Sequence, residues 1–404
     1  MGDCSHFHPI FCILPPHILQ AISSRGTPDQ MAWAQRTMTI TAMLRDTREM
    51  SPTKDQSPIE KALAGRNRVV YNTAHSDTLP GTKVRSEGDP ASSDVAVNEA
   101  YDGAGATYDL YHDVYGRDSV DGRGLRLDST VHYQSNYDNA FWNGQQMVYG
   151  DGDEGLPADQ RLFNRFTISI DVIGHELTHG VTQYSANLNY SDQSGALNES
   201  ISDIFGSLVK QRSLGQTAAQ ADWLIGKGLL ASRVKGVALR SMKAPGTAYD
   251  DPVLGKDPQP ANMKDYQNMG GDNGGVHINS GIPNHAFYVM AVEMGGNAWE
   301  KAGRLWFVTL RDKLRAASDF QEAANLTAQT AVELFGSNSL EQQAVRKGWA
   351  EVGINVVSVP PVTPPPTTTP VPTPGPTTPP NTNPGCLAAP VTSLKALSKR
   401  LFGG

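Results

Sequence analysis

Two histidines and a glutamate are spaced as they are in helical zinc sites. They lie in the segment HELTH, residues 175–179. Residues i and i+4 share one face of an α-helix, so the imidazoles of His175 and His179 can reach a single metal ion. Glu176 would then face the open coordination position, where a general base is needed. The flanking residues have helical apolar spacing and no proline, which predicts a helix over 168–184.

A second acidic cluster offers a third metal ligand. Nineteen residues separate His179 from Glu199. A catalytic zinc ion takes three protein ligands and keeps one open position, so Glu199 would complete a His2Glu set. Asp203 lies one helical turn further along, where a carboxylate can accept the second N–H of a ligating histidine. The alternative interpretation of Glu199 is an exposed carboxylate on a helix.

Composition excludes several classes of protein. The 404 residues carry a formal net charge of −7, which argues against a nucleic-acid-binding protein that depends on a strong positive field. The three cysteines, Cys4, Cys12 and Cys386, lie near the two ends, so the central body can form neither a disulfide framework nor a cysteine zinc site. No apolar run reaches the ~18 residues of a membrane span, and we expect no integral membrane association. No secretory signal peptide is recognisable.

The pattern of residues changes along the chain. Strand-like runs alternate with Gly and Asn from residue 67 to 153, and helical patterns dominate from residue 166. This predicts an α+β protein with a β-rich N-terminal half and a helical C-terminal half. A Pro/Thr-rich stretch, 357–385, is expected to be an extended linker to a short tail, 386–404. The predicted helices are 29–48, 93–115, 168–184, 196–210, 277–294, 298–314, 320–335 and 340–352.

The segment from Gly174 to Gly206 resembles the active-site block of the thermolysin family of zinc metallopeptidases. The resemblance extends over about 79–356, through NYDNAFWNGQQMVYGDGD at 136–153, LRSM at 239–242 and DNGGVHINSGIPNHAFY at 272–288. It implies a two-domain zincin with the cleft between a domain at 53–185, which includes the HELTH helix, and a helical domain at 186–356. The short N-terminal block and the Pro-Pro pair at 15–16 resemble the protealysin-like branch of that family, whose precursors carry a brief propeptide. Residues 1–52 would be that propeptide, removed by self-processing.

The resemblance also implies catalytic roles at the matching positions. His175, His179 and Glu199 would bind one catalytic zinc ion, and Glu176 would be the general base. Tyr190 and His277 would donate hydrogen bonds to the tetrahedral oxyanion, and Asp272 would orient His277. The residues that hold the two zinc histidines would be Asp203 and Asn198.

Further positions match the substrate-binding residues of the family. Asn139 and Ala140 would bind the substrate main chain, and Arg240 would contact the carbonyl on the prime side of the scissile bond. Each has another interpretation: Arg240 could be a structural salt-bridge partner, Tyr190 a core tyrosine, and His277 a helix cap. Five apolar residues match the hydrophobic specificity pocket but could equally be core, namely Phe163, Phe166, Val172, Ile225 and Leu239.

Two of the acidic positions that match the paired calcium site of thermolysin survive, Asp171 and Asp222. The others read Lys210, Leu224 and Lys227. Ammonium groups in place of carboxylates repel the ions that carboxylates attract, so we expect the paired site to be lost, although a single calcium ion remains an alternative.

The sequence therefore predicts a zinc endopeptidase that hydrolyses bonds on the amino side of bulky hydrophobic residues. Its partners would be protein or peptide substrates and its own propeptide, and we expect a monomer. Secretion is the expected localisation; a cytoplasmic protein, or export without the Sec signal, is the alternative. A catalytically silent binding protein would have lost the base or a zinc ligand, and all four residues are present.

Overall fold

The computed structural model describes residues 11–50 and 65–357. Most of the predicted linker and the whole predicted tail lie outside these ranges. Among the described residues, no helix combines the length and the apolar character needed to cross a membrane.

The N-terminal segment forms a short strand followed by two helices. Strand β1 is Phe11–Cys12, helix α1 is Pro16–Arg25 and helix α2 is Pro28–Met50. Pro16 occupies the first helical position of α1, where the missing N–H would have had no intrahelical partner. The predicted helix 29–48 is confirmed as α2, whereas α1 and β1 were not predicted.

A six-stranded mixed sheet forms the N-terminal half of the catalytic region. Its further strands are β2 (Arg68–Asn72), β3 (Thr82–Ser86), β4 (Leu127–Val131), β5 (Ala140–Trp142) and β6 (Met147–Tyr149). The spatial order is β1-β5-β6-β4-β2-β3. Strands β2, β4 and β6 are parallel neighbours, whereas β5 is antiparallel to β6 and β1 is antiparallel to β5. The N-terminal segment therefore occupies the sheet edge that β5 would otherwise leave open.

Two buried helices carry the predicted zinc residues. Helix α3 (Val95–Asp109) continues into a π-helical turn (Leu110–Val114) and precedes α4 (Ile170–Gln183) and α5 (Asp192–Leu214). A Cβ atom on Gly206 would lie 2.3 Å from the carbonyl oxygen of Asp171. Glycine at this position therefore allows the backbones of α4 and α5 to approach closely, which brings the residues of the two helices to one point.

The C-terminal half is helical, and one predicted helix there is wrong. The segment 277–294 belongs to two helices, α6 (Asp272–Asn279) and α7 (Gly281–Met294). Helix α6 begins with four residues of positive φ, from Asp272 to Gly275, and glycine tolerates that conformation without a Cβ penalty. The remaining elements are β7 (Leu224–Ile225), β8 (Arg240–Ser241), β9 (Asp250–Asp251), β10 (Gly255–Lys256), α8 (Ala302–Asp312), α9 (Phe320–Phe335) and α10 (Leu340–Glu351).

Candidate active site

Helices α4 and α5 bring the three predicted metal ligands together. The Nε2 atoms of His175 and His179 lie 3.0 Å apart. The carboxylate of Glu199 lies 3.5 Å from His175 Nε2 and 3.4 Å from His179 Nε2. All three side chains are buried. This is a cluster of two imidazoles and one carboxylate with the donor types of a His2Glu zinc site.

Neighbouring oxygens determine which ring nitrogen of each histidine is available to bind a metal ion. The Nδ1 atom of His175 lies 2.8 Å from Asp203 Oδ1, and Nδ1 of His179 lies 2.9 Å from Asn198 Oδ1. Because these oxygens accept hydrogen bonds, each Nδ1 must donate. Both Asp203 and Asn198 are therefore placed as the resemblance implied. Sequence reasoning missed Ser202, whose Oγ lies 3.0 Å from His179 Nδ1.

The donor cluster fits a metal cation. In the neutral imidazoles with Nδ1 protonated, the two Nε2 atoms present lone pairs to each other at 3.0 Å and cannot share a hydrogen bond. The buried Oε2 of Glu199 also has no hydrogen-bond partner among the described residues. A divalent cation would satisfy all three groups at once.

Electrostatics around the cluster favours a charged carboxylate and a neutral His179. Burial lowers the pKa of His179 to about 3, so its imidazole is in the form that binds metals. Burial opposes ionisation of Glu199, but His277 and the two ligand histidines hold its pKa well below the usual range. Burial also lowers the pKa of His175, yet the hydrogen bond to Asp203 and the nearby carboxylate of Glu199 outweigh this and raise it to about 9. A metal ion would therefore release a proton from His175 on binding.

Glu176 is held beside the cluster by strand β5. Its Oε2 accepts a hydrogen bond from the backbone N–H of Trp142 at 3.1 Å, and its buried Oε1 has no partner among the described residues. Burial raises the pKa of Glu176 to about 8, and the charge on Glu199 adds to this rise while His175 opposes it. A carboxylate whose pKa lies near neutrality can accept a proton and return it in one reaction cycle.

Three further predicted residues lie close to Glu199 or to one another beside the cluster. The Nδ1 atom of His277 donates to Asp272 Oδ1 at 2.6 Å, and Asp272 Oδ2 accepts the backbone N–H of His277 at 3.0 Å. The hydroxyl of Tyr190 donates to Glu199 Oε1 and lies 3.3 Å from His277 Nε2. Burial alone lowers the pKa of His277, but Asp272 and Glu199 raise it above its ordinary value. Tyr190 and His277 thus form a pair of donors beside the metal cluster.

The N-terminal segment crosses this site in an extended conformation. The carbonyl oxygen of Cys12 accepts a hydrogen bond from His277 Nε2 at 3.0 Å. The next residue, Ile13, donates its N–H to the carbonyl of Ala140 at 3.2 Å and accepts from Arg240 at 3.0 Å. Each donor or acceptor here is one that the resemblance assigned to the oxyanion or to the substrate main chain.

Asn139 completes this set of backbone contacts. Its Oδ1 accepts the N–H of Leu14 at 3.0 Å. The side chain of Cys12 packs instead with Tyr133, Tyr137 and Phe141 on the other face of the sheet. Among the described residues, the metal-capable cluster contains His175, His179 and Glu199 and does not include Cys12.

Arg240 forms a buried ion pair and also binds a main-chain carbonyl. Its Nε and Nη2 atoms each lie 2.8 Å from an oxygen of Asp203, and its Nη1 reaches the carbonyl of Ile13. Asn284, which sequence reasoning missed, donates to Asp203 Oδ2 at 2.8 Å. The five apolar residues of the predicted pocket are all fully buried in the same cluster as Ile13, namely Phe163, Phe166, Val172, Ile225 and Leu239.

Comparison with known proteins identifies the family. Residues 37–183 match the family described as "Thermolysin metallopeptidase, catalytic domain", and residues 186–354 match "Thermolysin metallopeptidase, alpha-helical domain". The chain is 51% identical over 350 residues to the "Extracellular metalloprotease" of Pectobacterium carotovorum subsp. carotovorum, covering 86% of this chain and 97% of that protein. It is 48% identical over 349 residues to "Protease PrtS" of Photorhabdus sp. (strain Az29), covering 85% and 92% respectively.

A solved structure shows the same relationship at the level of the fold. The "Precursor of Protealysin, Metalloproteinase from Serratia proteamaculans" superimposes with a TM-score of 0.76 at 49% sequence identity, covering 85% of this chain and 99% of that one. In both comparisons about half of the aligned residues are identical, and the alignment covers nearly the whole of the relative. This chain belongs to the thermolysin family of zinc metallopeptidases, and its two-domain α+β fold is that of the family.

Proposed function

We propose that this protein is the precursor of a secreted endopeptidase that hydrolyses peptide bonds on the amino side of bulky apolar residues. The observation that carries the proposal is the extended segment Cys12–Leu14, whose backbone is bound at three successive residues across the metal cluster. The chain continues on both sides of the Cys12–Ile13 bond, from Phe11, which pairs with Trp142, to helix α1. A cleft that accepts chain on both sides suits an internal peptide bond rather than a free terminus.

One zinc ion would be held by His175, His179 and Glu199, with Asp203 and Asn198 orienting the two histidines. When bound, the ion would polarise the scissile carbonyl and lower the pKa of a water molecule. The buried Oε2 of Glu199, which has no hydrogen-bond partner among the described residues, supports this assignment.

Glu176 would be the general base. Its Oε2 is held by the N–H of Trp142, which leaves Oε1 to take the proton of the attacking water. The proton would then pass to the amine that leaves. Because the pKa of Glu176 is raised to about 8, the protonated carboxyl can persist long enough to make that second transfer.

His277 and Tyr190 would stabilise the negative charge that develops on the substrate carbonyl oxygen. The Cys12 carbonyl already occupies the position in front of His277 Nε2. Asp272 accepts a hydrogen bond from Nδ1 of His277, and the charges of Asp272 and Glu199 raise the pKa of this histidine, which favours the imidazolium form in which Nε2 also donates. Fixed donors of this kind act on the transition state without reorganising.

Specificity would come from the residue that occupies the place of Ile13. This side chain is fully buried, in the same apolar cluster as Phe163, Phe166, Val172, Ile225 and Leu239. The backbone of Ile13 is held from both sides by Ala140 and Arg240. A bulky apolar side chain at this position would release the most water from apolar surface.

Residues 1–52 would be a propeptide that blocks the cleft and is removed by self-cleavage, leaving catalytic domains at about 53–185 and 186–356. Helix α2 ends at Met50, just before this boundary. Secretion is supported by relatives that bear the name extracellular metalloprotease. We further propose that the enzyme acts as a monomer. It would not bind nucleic acid, in keeping with its net charge of −7.

The test is peptide hydrolysis by the processed wild type and by Glu176→Gln. We expect a chelator to abolish wild-type activity and added zinc to restore it. The variant should bind as many zinc ions per chain as the wild type, lose activity and remain unprocessed in a protease-free preparation. Turnover of Glu176→Gln near the wild-type rate would refute the assigned base. Loss of zinc from the variant would instead make Glu176 a structural residue.

A further inference from the structure

A second cluster of metal-binding side chains lies in the N-terminal half, outside the catalytic cleft. His75, His132 and Asp151 each offer a ligand atom, and these atoms all lie within 4.8 Å of one another. The Asp151 carboxylate lies 2.8 Å from His132 Nδ1 and 3.5 Å from His75 Nδ1. The cluster lines a surface cavity of about 570 Å³, so solvent can reach it and supply further ligands.

One ring nitrogen of His132 is oriented by a carboxylate, as in ligating histidines, and the other, Nδ1, lies 2.9 and 2.8 Å from the two oxygens of Asp151. Its Nε2 lies 2.8 Å from Asp94 Oδ2, and Asp94 is itself fixed because its Oδ1 caps the first turn of α3. The carboxylate therefore orients the ring through one nitrogen and directs the other, Nδ1, towards Asp151 and His75. Asp203 orients His175 in the same way in the catalytic site.

The backbone holds the two histidines in position. The N–H of His75 donates to the carbonyl of His132 at 2.9 Å, and the N–H of Gln134 donates to the carbonyl of Ser76 at 3.2 Å. Both His75 and His132 have a positive φ, which is uncommon for residues with a side chain. The loops that follow β2 and β4 are thus joined by backbone bonds at the positions that carry the imidazoles.

We propose that His75, His132 and Asp151 form a second divalent metal site that binds Zn²⁺ or a similar transition-metal ion. Two imidazoles and one carboxylate suit such an ion better than Ca²⁺ or Mg²⁺, which prefer all-oxygen sites. The nearby carboxylates of Asp94 and Asp151 supply negative charge. The ion would join the loops after β2, β4 and β6, and the loop after β4 leads into strand β5, which pairs with β1 and β6.

The test measures zinc stoichiometry in the full-length chain carrying Glu176→Gln, which prevents autolysis and keeps the catalytic ligands. After equilibrium dialysis against zinc at mildly alkaline pH, we expect two zinc ions per chain. Adding His75→Ala should reduce this to one. His112→Ala is the matched control, because the His112 side chain is 51% exposed against 52% for His75 and also pairs with an aspartate, Asp113. The control should retain two ions.

Thermal melting provides a second readout that does not depend on activity. The parent and His112→Ala should melt at a higher temperature with zinc in excess than with one equivalent, and His75→Ala should lose this rise. A parent that binds one zinc ion, or a second ion that survives His75→Ala, would overturn the proposal.

Discussion

Lys210 occupies the place where the family relative thermolysin is expected to bind paired calcium ions, and its removal should destabilise the protein strongly. The Nζ atom lies 2.7 Å from Asp171 Oδ2 and 3.0 Å from Asp222 Oδ1. It also donates to the carbonyl of Leu224, so all three of its donors are used. Asp171 is fully buried and Lys210 nearly so. The ammonium group of Lys210 therefore lies between the two acidic side chains.

The expected magnitude follows from burial. Lys210→Met leaves the Asp171 carboxylate without its cation, although Ser169 Oγ and the N–H of Gly226 still contact its Oδ1. Removing one partner of a buried ion pair costs about 3–5 kcal/mol. At ~2–4 °C per kcal/mol for domains of this order of size, the melting temperature should fall by at least about 6 °C.

Lys227→Met is the matched control. Its ammonium lies 3.3 Å from the same Asp222, but its side chain is 60% exposed. Exposed pairs contribute about 0–1 kcal/mol, so this variant should melt within a few degrees of wild type. Both variants and the wild type would be compared by thermal melts with millimolar calcium and with a calcium chelator.

The comparison of melts with and without calcium tests directly whether the paired calcium site is lost. With Lys210 in place, we expect the same melting temperature in both conditions. A calcium-dependent rise of many degrees in the wild type, with two bound calcium ions per chain, would refute the reasoning. Equal effects of Lys210→Met and Lys227→Met would show that the buried pair contributes no more than the exposed one.

Three further outcomes follow from the site. Ile13→Asp should release the block in the unprocessed chain, because a buried unpaired carboxylate costs several kcal/mol. We expect its peptidase activity to be at least ~100-fold above that of the exposed control Gln20→Asp. Equal latency of the two variants would contradict this. Burial lowers the pKa of His17 to about 4. Protonation should therefore weaken docking of the N-terminal segment by about 3 kcal/mol as the pH falls from about 6.5 to 4. Activity should appear faster over this pH range in wild type but not in His17→Leu, and identical pH profiles would exclude His17 as the group responsible. In the mature enzyme, His277→Phe should lower kcat about 10²–10³-fold with zinc content unchanged, whereas a change confined to KM would exclude an oxyanion role.

The metal cluster was predictable because its geometry is mostly local. The i, i+4 spacing of His175 and His179 requires only that α4 be helical, and α4 forms over Ile170–Gln183, within the predicted 168–184. Predicting Glu199 as the third ligand required one further assumption, namely that the two helices cross close to each other. Glycine at position 206 makes that crossing close, but its role became clear only from the distance to the Asp171 backbone.

The features that sequence reasoning missed depend on long-range pairing. Strand β1 has two residues, Phe11 and Cys12, and its partner Trp142 lies 131 positions away from Phe11. No periodicity can be read in so short a strand. The start of α6 was missed for another reason: left-handed residues at Asp272–Gly275 precede the regular turn that presents His277, and apolar spacing carries no information about such a start.

Asp203 links the metal ligands to the bound chain through a single carboxylate. Its Oδ1 lies 2.8 Å from both His175 Nδ1 and Arg240 Nη2, and its Oδ2 accepts from Arg240 Nε and from Asn284. Burial opposes ionisation of Asp203, but the Arg240 charge and the His175 hydrogen bond lower its pKa to about 2. The same guanidinium binds the carbonyl of Ile13. The carboxylate that orients the predicted metal ligand His175 therefore also orients the guanidinium that holds the N-terminal segment.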